Sequence, residues 1–248
     1  MVDVVVVMGV GLIVLLSYFL RTLTGFGSAL IAMPFLVLLF SDLRFVVPLF
    51  AAIELLNGYL NYRGSAARAK FSDYKATFSM VFVGTVIGCL LLRFAPENVL
   101  RFFFALFLLA FAVKLYFGSG FKLPGYGLVD VGFYPLIGGL LFGVYNTGRP
   151  VVLSWLSKRP LEKPLTEESL ASLFFFKSVF QVALFIVLGL LGFSVLAYLI
   201  LAVPMLLLAR FLAASTPNHL DDRMVSGGAS AVFAAVALLI VFMLVAQG

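Results

Sequence analysis

"TLTGFGSALIAMP", Thr22 to Pro34, is the stretch on which the reading of this chain turns. An apolar run, "VVVVMGVGLIVLLSYFL" from Val4 to Leu20, arrives on its left, and another continues on its right to Phe40. Between them stand Arg21, two threonines and two glycines, Gly25 and Gly27. Such a break in apolar sequence has two readings. It is a tight turn at a membrane surface, or it is a helix interrupted inside the membrane to hold something.

The composition fixes the solvent. Of 248 residues, 63% are hydrophobic and 11% charged, with a mean hydropathy of +1.17. Soluble domains are nearer ~45–50% apolar and ~25% charged. This much apolar surface needs lipid around it. The N-terminus shows no clear basic region followed by a small-residue cleavage site, so Met1 to Leu20 is read as a retained helix. One cysteine, Cys89, excludes an intrachain disulfide and a cysteine-based metal site. One histidine, His219, excludes a histidine cluster. The net charge of +6 reports orientation in a membrane protein, not nucleic acid, since no basic-aromatic run is present.

A helix crosses a bilayer with ~20 apolar residues. Ten segments qualify as helical: 4–20, 25–40, 46–62, 75–93, 98–117, 130–145, 149–157, 168–190, 194–212 and 224–246. Two, 25–40 and 149–157, are short or interrupted, and whether each crosses fully or re-enters is open. Strands are excluded because nothing alternates as a barrel strand does. The expectation is an all-α integral membrane protein of about 8–10 helical segments. With the loop at 63–75 in the cytoplasm, twelve basic residues fall on that side, Arg21 and Arg210 among them. Four, Arg44, Arg93, Arg101 and Arg149, fall outside. The bias predicts both termini outside.

The two halves of the chain correspond. An offset of 123 takes Thr24–Gly25 to Thr147–Gly148, Gly9 to Gly132, and Glu54 to Lys177. With the offset slipped to 121, "APEN" at Ala95–Asn98 faces "TPNH" at Thr216–His219. Residues 1–122 and 123–248 are therefore read as two membrane repeats of one domain. Five segments per half is an odd number, so the repeats have inverted topology. Corresponding short, interrupted segments in such halves point to a binding site. "TLTGFGSALIAMP" and "YNTGRPVVLSW", Tyr145 to Trp155, are then broken helices meeting near a pseudo-twofold axis. Their free N–H groups and positive dipole ends favour an anion. The candidate substrate-binding residues are Thr24, Gly25, Gly27, Ser28, Asn146, Thr147, Gly148 and Arg149. Spacing alone leaves the plain surface turn equally open.

At these residues the chain resembles a known family. "TGFGSALIAMPFLVLLF", with a later span ending "NYRGSAARAKFSDY", is similar to the first half of the sulfite exporter TauE/SafE family, also called toluene-sulfonate uptake permeases. "YPLIGGLLFGVYNTGRPVVLSWL", followed by "LILAVPMLLLARFLAASTP", is similar to the second half. The resemblance covers nearly the whole chain and rests on the order of loose motifs. It implies a multi-pass protein of the cell (inner) membrane that moves sulfite, sulfonates or related organosulfur anions. The chain departs from the family pattern at Phe26 and Ser28, which break a glycine run. It departs again at Asn146 and Arg149, where many members carry further glycines.

Some polar residues lie inside the spans. Glu54, Asn57 and Asn61 share one helix face. Lys177 and Gln181, one turn apart, do so on the corresponding helix. Ionisable groups in a span cost at least ~2.5–3.5 kcal/mol at its centre and usually face the interior or a water-filled path. With Arg21, these residues are the candidates for the pathway or for coupling, with Glu54 as a proton carrier and Lys177 as an anion contact. The alternative is a Glu54–Lys177 ion pair that joins the two halves. Glu97 and the other acidic residues at span ends read as solvated. Trp155, Tyr134 and Tyr145 read as interfacial anchors.

The function expected is secondary transport of a small anion by alternating access, with the lipid bilayer, the anion and a coupling proton or ion as partners. An anion-selective channel is the alternative, and a non-transporting scaffold or sensor a further one. No GxxxxGK[ST], GxSxG or HExxH motif is present, so the sequence offers neither ATP hydrolysis nor an enzymatic site. No cofactor and no metal are expected.

Overall fold

The computed structural model describes residues 4–24, 27–64, 75–117, 130–156, 167–216 and 222–246. Every regular element among them is an α-helix: α1 (Val4–Thr24), α2 (Ser28–Phe40), α3 (Leu43–Gly64), α4 (Lys75–Phe94), α5 (Glu97–Phe117), α6 (Asp130–Tyr145), α7 (Arg149–Leu156), α8 (Glu167–Val187), α9 (Phe193–Ala214) and α10 (Asp222–Ala246). Among the described residues, six helices are long and apolar enough to cross a membrane, in α1, α3, α5, α8, α9 and α10. The described apolar parts of α4 and α6, Phe78–Phe94 and Phe133–Tyr145, are shorter. At 1.5 Å per residue, the 13 residues of α2 reach about 20 Å and the 8 of α7 about 12 Å. Neither crosses a ~30 Å hydrocarbon core alone.

The chain forms two compact units. The first takes Met1–Val46, Ala95–Gly125 and Ile200–Gly248, and the second Val47–Phe94 and Tyr126–Leu199. The first unit thus holds α1, α2, α5, α10 and most of α9. The second holds α4, α6, α7, α8 and most of α3.

In the first unit, α5 and α10 pack along their length. Ser230 Oγ donates to the Ala112 carbonyl at 2.9 Å, and Phe111 meets Phe233 at 6.0 Å between ring centroids. Leu30 of α2 joins Ala112 and Phe233 in one buried cluster. A second contact ties the corner between α2 and α3 to the corner between α4 and α5. The Leu43 amide donates to Glu97 Oε1 at 2.7 Å, and Arg44 Nη2 donates to the Ala95 carbonyl at 2.7 Å. Arg101 donates to the Ser41 carbonyl and pairs with Glu97 at 3.3 Å. Glu97 is therefore not simply solvated, as its place at a span end suggested. It holds two elements together.

In the second unit, α4 and α6 come together backbone to backbone. A Cβ on Gly84 or Gly88 would run into the carbonyls of Leu136 or Leu140, and one on Gly139 or Gly143 into those of Val81 or Thr85. Two GxxxG stripes, "GTVIG" and "GLLFG", therefore face each other. Small residues drive such pairing in lipid, where no hydrophobic effect favours one apolar contact over another. α8 packs on α4 through Phe82 and Phe180, edge to face at 4.8 Å. α3 meets α8 where a Cβ on Gly58 would lie 3.3 Å from the Phe175 backbone and where Tyr62 stacks on Phe175 at 5.0 Å. Trp155 is buried in the core with Phe142, Val152 and Phe174, and Tyr145 is buried as well. Neither serves as the interfacial anchor expected of it, because both are packed inside the unit.

Candidate functional site

α6 stops at Tyr145 because Asn146 takes the left-handed conformation, φ 56°, which asparagine tolerates better than most residues. Its amide still donates to the Phe142 carbonyl at 2.9 Å, and the Thr147 amide donates to Leu141 at 3.3 Å. α7 then restarts at Arg149, with the Val152 amide donating to the Gly148 carbonyl at 3.2 Å. Gly148 is needed for this turn-back. A Cβ there would collide with the Gly138 carbonyl and the Phe142 ring, so this glycine serves helix packing.

Around the break the second unit gathers polar groups in an apolar setting. Lys177 Nζ of α8, with 3% of the residue exposed, donates to Gln181 Oε1 at 2.7 Å and to Asn146 Oδ1 at 3.2 Å. Gln181 Nε2 in turn donates to the Phe142 carbonyl at 2.7 Å. The Lys177 ammonium lies 4.1 Å from the Phe142 ring centre, and the Arg149 guanidinium 4.4 Å from that of Phe174. The two rings meet edge to face at 5.8 Å. Each cation therefore sits against one member of an aromatic pair, which favours cations withdrawn from water. Glu54, Arg149 and Cys89 all lie within electrostatic reach of Lys177.

Two polar atoms in this cluster have no hydrogen-bond partner: Asn146 Nδ2 and Thr147 Oγ1. Their residues are 3% and 1% exposed. Other buried hydroxyls here do not behave this way. Thr85 Oγ1 donates to the Val81 carbonyl, and Ser178 Oγ to the Phe174 carbonyl. A buried polar atom without a partner costs about 1–3 kcal/mol, so two adjacent ones call for an occupant.

Of the residues singled out from sequence, Asn146, Thr147, Gly148, Arg149, Lys177 and Gln181 come together in this cluster. On α3 of the same unit, Asn57 is buried and Glu54 and Asn61 are half-buried. Thr24, Gly27, Ser28 and Arg21 belong to the first unit, and Gly25 lies outside the described residues. Thr24 ends α1. Gly27 precedes α2 in an extended conformation and gives it no side-chain cap, with open space where a Cβ would stand. Ser28 is buried and accepts from Arg21 Nη1 at 3.1 Å. Arg21 also lies over Tyr18, and its charge acts on Arg210 of α9.

Sequence reasoning passed over two contributors. Phe142 and Phe174 carry the cations, yet they are two of 28 phenylalanines. The signal available was position: Phe142 is one turn before Asn146, and Phe174 one turn before Lys177.

No curated protein and no solved structure matches the chain. A family model, that of the sulfite exporters TauE/SafE, matches residues 10–244. That match takes in α6, the break, α7 and α8, and nearly the whole chain besides, so this multi-pass membrane protein belongs to the sulfite exporter TauE/SafE family.

Proposed function

We propose that the chain is a secondary transporter which carries a small sulfur oxyanion or sulfonate by alternating access, and that the anion is held at the break between α6 and α7. Family membership supports membrane transport of sulfur anions and fits a protein that is not an enzyme. The observation that carries the site is the pair of buried, unpartnered groups, Asn146 Nδ2 and Thr147 Oγ1, beside the cations of Lys177 and Arg149. An oxyanion offers several acceptor lone pairs. It would take hydrogen bonds from the amide and the hydroxyl while the two cations balance its charge.

The unit memberships favour the two-repeat reading, with repeats at 1–122 and 123–248. In chain order, α1 to α5 correspond to α6 to α10. The first unit's α1, α2 and α9 then correspond to the second unit's α6, α7 and α4. The self-corresponding pairs also stay together, α5 with α10 and α3 with α8. Duplication accounts for this exchange, since each unit receives one copy of the same three-helix set.

Thr147→Val tests the site. If the hydroxyl serves only the anion, removing it leaves the anion-free protein as stable as before or more so, because a buried unmet polar group is lost. Sulfite affinity, measured by calorimetry on protein in nanodiscs, should fall about tenfold, as the loss of one hydrogen bond to a charged group implies. Unchanged affinity in Thr147→Val would remove the break from consideration.

A further inference from the structure

A chain of hydrogen bonds with a fixed direction runs through the second unit. It starts at the Phe142 carbonyl, which can only accept. That oxygen takes the Asn146 backbone amide at 2.9 Å and Gln181 Nε2 at 2.7 Å, so both of its lone pairs are used. Gln181 is fully buried. With its nitrogen end spent on the carbonyl, it turns Oε1 to Lys177 Nζ, 2.7 Å away. An ammonium can only donate. Asn146, 3.2 Å from the same ammonium, must therefore present its oxygen as well. Nδ2 is the opposite branch of that planar amide and is directed away from Lys177. It is the buried nitrogen that has no hydrogen-bond partner.

We propose that Lys177 is a positioning residue of the anion site, which fixes the Asn146 amide with its nitrogen end presented to the anion. This rests on the break being the anion site, and it gives Lys177 a role beside its charge. Turned round, the amide would set donor against donor at the ammonium and forfeit a hydrogen bond to a charged group. That disfavours the reversed amide by at least about tenfold in population. The lysine is itself held in place, by the two oxygens and by the Phe142 ring, whose centre lies 4.1 Å from the ammonium. Direction thus passes from the Phe142 carbonyl through Gln181 and Lys177 to Asn146. Without the lysine, the amide can turn its oxygen to the anion, and the two then repel.

A double-mutant cycle tests this, with sulfite affinity measured by calorimetry on protein in nanodiscs. Asn146→Gly keeps the left-handed turn and removes the amide. Lys177→Met keeps the length of the side chain and removes its donors and charge. Gel filtration first shows which variants are folded. If Lys177→Met is not, Lys177→Gln replaces it in the cycle, since its amide can meet Asn146 with either end. Asn146→Gly should weaken sulfite about tenfold, the loss of one hydrogen bond to a charged group. Lys177→Met should weaken it further, because the oriented amide and the charge both go. In the Asn146→Gly protein no amide remains to orient. There the same lysine change should cost about tenfold less than in wild type, a coupling expected within one hydrogen-bond network. A lysine that acts only through its charge or its packing gives losses that multiply, and that result overturns the positioning role while the anion site stands. Unchanged affinity in Asn146→Gly overturns the role as well, and leaves the site to Thr147 and Arg149. Failure of wild type to bind sulfite overturns the site and this inference together.

Discussion

At the scale of single residues, the cluster separates charge from shape. Lys177 supplies a point charge held by two neutral oxygens, while Arg149 supplies a flat fork lying on Phe174. The difference predicts how Arg149 responds to substitution. Arg149→Lys keeps the charge but loses the planar stack and the bidentate donors, so anion affinity should fall while transport persists. Arg149→Gln removes the charge too and should weaken binding by about 1.5–3 kcal/mol, as for a hydrogen bond to a charged group. Both are read by direct anion binding. Affinity unchanged in Arg149→Gln would make this arginine a packing residue only. Asn146, Thr147, Gly148 and Arg149 were legible because Thr-Gly recurs at an offset of 123. What the sequence hid was the job of each residue. Gly148 suggests an open backbone for a ligand, yet the space is taken by α6. Trp155 suggests a membrane surface, yet it is buried. Both depend on which helix lies opposite, and residue spacing does not carry that.

At the scale of elements, helix positions were legible to within a few residues, since long apolar runs in lipid admit little but helix. The breaks were legible too. The expected 25–40 and 149–157 became α2 (Ser28–Phe40) and α7 (Arg149–Leu156). Partners were less so, except where small residues mark them, as in "GTVIG" and "GLLFG" of α4 and α6. That contact yields opposite predictions for two kinds of glycine. Gly139→Ala places a methyl against the Val81 carbonyl and should destabilise by about 1–3 kcal/mol, as overpacking does. Gly228→Ala in α10 meets nothing within 4 Å. It should stabilise by about 0.5–1 kcal/mol through the helix preference of alanine over glycine. Thermal unfolding in one detergent compares the two variants directly. Equal effects would mean that the α4–α6 contact does not limit stability. Pro48 and Pro204 lie inside α3 and α9, the two helices that pass from one unit to the other. Each removes an i→i−4 hydrogen bond, as do Pro34 inside α2 and Pro135 inside α6.

At the scale of the whole molecule, charge and contact bear on one question, the orientation in the membrane. The twelve-to-four distribution of basic residues puts the loop at 63–75 in the cytoplasm and Arg44, Arg93 and Arg101 outside. The contact within the first unit bears on this independently. Arg44 reaches the Ala95 carbonyl, and the Leu43 amide reaches Glu97. The corner between α2 and α3 must then lie on the same side of the membrane as the corner between α4 and α5. Alternating spans demand the same of these corners, since one crossing in through α3 and one back out through α4 separate them. The absolute side rests on the charge bias alone, and accessibility tests it. Cys89 is buried, so single cysteines introduced elsewhere report without interference from it. A cysteine at Ala67 or Lys163 should react with an impermeant maleimide only once the cytoplasmic face is opened. One at Asn98, exposed in the first turn of α5, should react in intact cells. Reversed reactivity at all three would keep the fold and invert the orientation. Reaction of Ala67 and Asn98 variants from the same side would mean that α4 does not cross, and the alternation built on ten helical segments would fall with it.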